Sequence, residues 1–471
     1  MVRDGVEQFK HLLLKASVSD NRYPVKGCHV LLPYGYRLKE NVFEMVESSI
    51  EANGYQKFQF PRLMPGELMK PVTAYIDDFE DSLFWLRRKD GTSLDVFLSP
   101  TGECAVYTMF RKWVKNKSDL PLRAYQRGSI FRYHKNPIAM YNGDERMDLA
   151  ECHAAFSSEE EAEEEFDRTV TIFKEVVTEL GIPGLVLRRP RWGNKPVFTD
   201  MVSFETYLPS KQRVFNVAVV YNQGQIFSRP FGVEYVDTDG IKRYTHQITS
   251  GISERIITSM LDVHRDEIGL RLMPDFAPEQ ITIVPVYMGR GNDDVNEYAR
   301  QIAERMKGQF RVNLDLSKEN VHPGKKIAAS RTRGVPILIG ICPDNIDNQT
   351  CRIYVRTRTP PIDDFHVGDL NVAIPSFFTE VETAIKEDAK HYMDSQITSA
   401  LTIDETMEIV KGNKVAVFDF CGETPCIERL DKKLPGELVG TESYEESRGA
   451  CLSCGKDAHF LGFYSKRSDS P

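Results

Sequence analysis

The chain has 471 residues, 41% hydrophobic and 27% charged, enough for about two to four globular domains. A formal charge of −9, from 60 basic and 69 acidic residues, excludes a globally basic nucleic-acid binder and leaves that role to a local basic face. No apolar run approaches the roughly 20 residues of a membrane span, Asp4, Glu7 and Lys10 break up any signal core, and five of the nine cysteines (Cys28, Cys104, Cys152, Cys342, Cys351) are scattered singly. A reducing, cytoplasmic location and no membrane partner are therefore expected.

Residues 26–65 read as a strand-like entry, KGCHVLLPYGYRL, a helix from about Lys39 to Asn53, and a strand QKFQFP. Val42, Met45, Val46 and Ile50 fall on one helix face, and Gly54 sits where a C-cap would end it. Residues 157–180 form the clearest helix: Ser157 or Ser158 caps it, acids fill its first turns, and Phe166, Val170, Phe173, Val177 and Leu180 make its stripe. The segments MVSFETYL, RVFNVAVVY and GVEYVDTDGIKRYTHQI follow, with Asp239-Gly240 as a hairpin turn. Strands joined this closely predict an antiparallel sheet.

After Pro274–Pro278 the pattern becomes a strand–helix alternation with helices near Val295–Lys307 and Lys325–Arg333, as in a separate α/β domain with a mixed sheet. Helices near Ile374–Tyr392 and Ile397–Lys411 lead to the strand KVAVFDF and a cysteine-bearing tail. There Cys421-x4-Cys426 and Cys451-x2-Cys454 are separated by 24 residues, with Gly422, Pro425 and Gly455 allowing tight backbone turns. Four soft ligands without a spare catalytic group favour a closed, tetrahedral structural Zn²⁺ site; four unligated thiols are the alternative.

Four motifs run in order: LSPTGE at Leu98–Glu103, FRYH at Phe131–His134, AECHAAF at Ala150–Phe156 and GISERII at Gly251–Ile257. With the cysteine tail they resemble the class II aminoacyl-tRNA synthetases of prolyl type, in the archaeal and eukaryotic form that carries a C-terminal zinc domain and no inserted editing domain. The resemblance spans nearly the whole chain. It implies an α+β fold: an antiparallel synthetase sheet with flanking helices over residues 1–275, an α/β anticodon-binding-like domain over 276–382, and a small zinc-binding α+β domain over 383–471. It also implies a homodimer through the 26–65 segment, although an amphipathic core helix with an edge strand explains that pattern equally well.

The implied activity is ATP- and Mg²⁺-dependent formation of an aminoacyl-adenylate and transfer of the acyl group to tRNA. Such chemistry is mostly positioning and charge neutralisation around the α-phosphate, and arginine suits it because its planar fork grips oxyanions in two contacts. On the resemblance, Arg132 meets the α-phosphate and the substrate carboxylate, Arg255 meets the γ-phosphate, and Ser253 and Asn216 stand near the nucleotide. Thr101 and Glu103 receive the imino group of proline, with Glu151 and His153 lining the same cavity and Leu149 and Tyr221 walling it.

Several positions depart from the family pattern. His134 replaces a glutamate that reads adenine, Gly143 and Glu145 stand where loop arginines cover the phosphates, Arg146 is displaced by one residue, and Met147 replaces a ring that stacks on adenine. Leu149, Val219, Tyr221 and Asn216 replace a tryptophan, a threonine, a histidine and a glutamine. In the second domain Arg331, Leu338 and Gly340 stand where anticodon-reading residues are expected, and Lys325, Lys326, Arg331 and Arg333 form either a phosphate-binding face or a solvated helix side. Three readings stay open: a prolyl-tRNA synthetase-like ligase, a paralog adenylating another small or cyclic amino acid without tRNA, and a catalytically silent binding protein.

Overall fold

The computed structural model describes residues 2–69, 71, 79–189, 197–287, 292–316, 321–443 and 449–466. Its centre is an antiparallel run of neighbouring strands: Leu122–Phe131, Glu145–Phe156, His246–Ser253, Arg213–Gly224, Asp200–Leu208 and Leu185–Arg188. The helix Glu159–Glu179 packs on the His246–Ser253 and Arg213–Gly224 strands, burying Phe166, Phe173, Val176 and Val177. Ser158 caps it, its side chain accepting from the Glu161 N–H at 3.2 Å. This is the antiparallel sheet that the closely spaced strands predict.

The first long helix differs from expectation. It spans Pro33–Ala52, so PYGYRL is helical and the strand-like entry shrinks to Val30–Leu31. Pro33 occupies the first turn, where its fixed φ favours helix and its missing N–H costs nothing. Gly35 lets the helix press on the preceding segment, since a Cβ there would overlap the Val18 carbonyl. The apolar face (Leu38, Val42, Phe43, Val46, Ile50) is buried in the chain's own core. The C-cap is Asn53, one residue before the expected Gly54, which follows it with φ +86° and its N–H on the Glu51 carbonyl.

A buried ion cluster ties this helix to the sheet. Asp148 accepts from Lys39 Nζ at 2.5 Å and from Arg127 Nε at 2.8 Å.

The α/β unit has a five-stranded mixed sheet. Ile281–Pro285 lies parallel to both Val312–Leu314 and Ile337–Ile341, and Thr350–Val355 and Ile362–His366 add antiparallel. One continuous helix, Leu370–Gln396, then runs across position 382. Ile397–Ser399, expected to be helical, is a strand; the next helix starts only at Ile403, where the Thr402 side chain accepts from the Glu405 N–H. In the tail, Val415–Phe420, Phe460–Ser465 and Glu437–Ser443 pair in that order. The last of them meets Leu185–Arg188 at Thr441, so the tail extends the central sheet to 11 strands. Among the described residues, no helix is long and apolar enough to cross a membrane.

Candidate active site

The central sheet forms the floor of a cavity of about 580 Å³. Cross-strand register places Glu151, Gly251 and Val219 side by side in one row, with His153, Thr249 and Tyr221 in the next. Gly251 keeps the floor open, because a Cβ would already stand 3.3 Å from the Leu149 side chain. Thr101, Glu103, Arg132, Leu149, Glu151, Asn216, Tyr221, Ser253 and Arg255 all line the cavity, so residues far apart in sequence converge as the motif order implies.

One end is acidic. The Thr101 hydroxyl lies 2.7 Å from Glu151 Oε1 and also hydrogen-bonds Glu103. Burial and the Glu151 charge push the Glu103 carboxyl above its usual range. Burial works against ionisation at Glu151 too, but the neighbouring His153, a hydrogen bond from Thr101 and the Arg132 charge hold it below that range. Two neighbouring carboxyls are thereby pushed apart, one poised to stay ionised and the other to share a proton.

His153 is the one predicted lining residue that stands behind the wall. It is 1% exposed, with Nδ1 3.2 Å from Thr249 Oγ1 and Nε2 3.7 Å from Glu151 Oε2. It supports Glu151 rather than facing the cavity.

The other end is cationic. Arg132 follows its strand directly, and its Nε donates to the Pro100 carbonyl at 2.8 Å. Arg255 opens the helix Arg255–His264, with its Nε on the Tyr141 carbonyl at 2.7 Å and its guanidinium 5.0 Å from the Phe215 ring centre. Burial and the nearby Arg132 bring Arg255 down to about 10, so it is still cationic at neutral pH. Arg146, Lys211 and Arg213 join the lining, as does Glu205, which accepts from Asn216 Nδ2 at 3.0 Å. Met147, Gly143 and Glu145 are outside the lining, and His134 is inside it.

Sequence reasoning missed Arg189, Glu205, Lys211, Arg213 and Phe215. Val219, Tyr221 and Gln223 alternate toward the cavity along one strand, but past a register shift at Val217 every residue from Arg213 to Val217 lines it, so alternation alone does not find Arg213 and Phe215. No local signal foretold Glu437, Val439 and Lys466, which the tail brings to the same cavity.

Away from the cavity, the Sγ atoms of Cys421, Cys426, Cys451 and Cys454 lie within 4.8 Å of one another. The Cys421–Cys426 and Cys421–Cys454 separations are 3.6 and 3.9 Å. They bracket the ~3.8 Å edge of a tetrahedron built on zinc–sulfur bonds of about 2.3 Å.

The basic face of the second domain is reduced by the structure. Lys326 is buried, with Nζ 3.2 Å from the Asp315 carbonyl, and Arg333 pairs with Glu279 at 3.2 Å and packs over Tyr34. Lys325 and Arg331 remain accessible on that helix.

Residues 84–264 match the family described as tRNA synthetase class II core domain (G, H, P, S and T), and residues 280–365 match the anticodon binding domain. The proline–tRNA ligase of Methanocaldococcus jannaschii is 33% identical, covering 94% of this chain and 97% of its own. That of Methanothermobacter thermautotrophicus is 31% identical, covering 96% and 93%. Among solved structures, the Giardia lamblia prolyl-tRNA synthetase in complex with prolyl-adenylate superposes with a TM-score of 0.91 at 26% identity, covering 99% of both chains. With the core and anticodon modules in this order and likeness over nearly the full length, the chain belongs to the prolyl-tRNA synthetase family.

Proposed function

We propose that the cavity condenses proline with ATP to prolyl-adenylate and passes the prolyl group to tRNA. The observation that carries this reading is the polarity of one cavity, carboxylates at one end and guanidiniums at the other, which matches a substrate with a cationic imino group and an anionic reacting end. Thr101, Glu103 and Glu151 hold the imino group, with His153 fixing Glu151 from behind. Leu149 and Tyr221 bound the ring. Arg132 holds the proline carboxylate against the α-phosphate, the carboxylate oxygen attacks phosphorus in line, and pyrophosphate leaves toward Arg255.

Mg²⁺ neutralises phosphate charge in such reactions; Glu205 and Asn216, an acid and an amide beside Arg255, are oxygen donors of the type it takes. Zn²⁺ is the structural ion the four thiols fit. The chain would act in the cytoplasm, as five free thiols outside the four-cysteine cluster suit a reducing compartment. It would act as a homodimer, with exposed Leu63, Trp85 and Leu94 on the small sheet that follows the first long helix as apolar surface to cover.

Amino-acid-dependent ATP–pyrophosphate exchange tests the reading. Proline is expected to support exchange, followed by acylation of proline tRNA. Exchange with another amino acid in place of proline would transfer the assignment to a paralog with the cavity reshaped at Leu149, Val219 and Tyr221; no exchange with any would remove the enzymatic reading.

Gly102 offers a second check on the acidic end. A Cβ there would overlap Glu151 Oε2 and stand 2.6 Å from Gln126 Nε2 and 2.7 Å from His153 Nε2. Gly102→Ala is expected to raise KM for proline by about tenfold or more while changing KM for ATP little, as displacement of one anchoring group by a fraction of an ångström degrades positioning. Steady-state exchange kinetics at varied proline and varied ATP separate the two.

A further inference from the structure

The strand Glu145–Phe156 does not keep one side-chain alternation along its length. Leu149 pairs with Gly128, yet Arg146 pairs with Ile130, so Met147 and Asp148 together oppose Ser129 in a β-bulge. Beyond the bulge the parity inverts. Without it, Glu151, Leu149, Met147 and Glu145 would all face the cavity; with it, Arg146 takes the inward position beside Ile130, and both line the cavity.

The bulge is fastened from three sides. The Met147 N–H donates to Glu254 Oε2 at 3.0 Å, the Ser129 hydroxyl donates to the Met147 carbonyl at 3.0 Å, and Asp148 is turned outward into its ion cluster with Lys39 and Arg127. The bulge, and not simple alternation, is thus what brings Arg146 to the cavity.

The Arg146 side chain is left without a protein partner. It makes no hydrogen bond or ion pair with the described residues, and its Nε is sealed from solvent. Burial, then the charges of Arg255 and Arg132, lower its proton affinity, with Glu254 acting the other way. A guanidinium that shares its cavity with those of Arg132 and Arg255, and has no ion-pair partner among the described residues, is arranged for an anion that enters the cavity.

Resting on the reading that this cavity uses ATP, we propose that Arg146 binds the β,γ-phosphates of the nucleotide together with Arg255, in the place of the absent loop arginines. Arg146 and Arg255 each adjoin one partner of the Met147–Glu254 hydrogen bond and both line the cavity, so the two residues stand at the same end of it.

The test uses the full chain and two readouts. In proline-dependent exchange, Arg146→Ala is expected to raise KM for ATP by about tenfold or more, the worth of a lost charge-assisted contact, with KM for proline within about twofold of wild type. In ligand-induced thermal shift without proline, protection by ATP is expected to fall while protection by AMP, which lacks the β,γ-phosphates, persists. Arg146→Lys is expected to recover part of the ATP effect, since it restores charge without the fork. The pair Glu145→Arg with Arg146→Glu moves the cation to the outward side of the strand and is expected to be no better than Arg146→Ala.

An unchanged KM for ATP, an equal loss of AMP protection, or wild-type behaviour of the exchanged pair would each overturn the proposal. If the wild-type chain gives no exchange with proline, the functional reading fails, while the ATP-against-AMP comparison still decides the role of Arg146.

Discussion

Arg255→Ala is expected to lower kcat/KM for ATP–pyrophosphate exchange by about 10²–10³-fold or more, and Arg132→Ala by at least as much, because each removes a preorganised charge from the cationic end of the cavity, where the proposed reaction places the phosphates. The two residues are anchored by their Nε atoms, on the Tyr141 and Pro100 carbonyls, and both side chains line the cavity. Truncation therefore removes the ligand contact without unseating the helix Arg255–His264 or the strand before Arg132. The same variants are expected to melt no lower than wild type without nucleotide. Burial and then the Arg132 charge disfavour ionisation at Arg255, so removing either residue relieves like-charge crowding. Loss of activity with retained melting temperature is the signature; exchange within about fivefold of wild type in either variant would refute the placement of the phosphate end.

The legible part of this site was the part carried by short segments whose residues act where the chain puts them. FRYH, AECH and GISER converge on one cavity because each sits on, or just beyond, a strand of the same antiparallel sheet, while PTGE reaches it from the end of Ser93–Leu98 in a separate three-stranded sheet; close spacing announced the pairing of Asp200–Leu208 with Arg213–Gly224, and the Asp239-Gly240 turn that of a separate two-stranded hairpin. Illegible were the effects set by register. The bulge opposite Ser129 has no local signature, so Met147 and Glu145 read as nucleotide-facing and Arg146 as misplaced, whereas the structure reverses their directions. His153 alternates correctly with Glu151 yet lies one row deeper, under Thr249 and Tyr107. The stretch Pro33–Leu38 read as a strand because its tyrosines favour one; the proline in the first turn and the close approach of Gly35 to Val18 decide for helix.

Loss of the tail's metal is expected to do more than loosen a remote module. A closed structural site with no spare catalytic group would by itself affect stability alone. The tail strand Glu437–Ser443 instead joins the central sheet beside Leu185–Arg188, and Glu437, Val439 and Lys466 reach the cavity. Cys426 and Cys451 are buried with Phe418, Phe420, Leu430 and Tyr464 in the small core that holds these strands, so the ion and that core stand or fall together. Cys454→Ser, or removal of Zn²⁺ by a chelator, is expected to destabilise the tail on the order of 3 kcal/mol or more, because metal binding in a small domain is folding energy. It is also expected to raise KM for ATP or proline severalfold while leaving Arg132, Arg255 and Glu151 in place. Metal analysis should give one zinc per wild-type chain and less in the variant, with the loss greater below neutral pH as protons compete for the thiolates. A wild-type chain that is fully folded and active without bound metal would overturn the zinc site. Destabilisation with unchanged kinetics would instead show that the strand from Glu437 holds its place against Leu185–Arg188 without the ion.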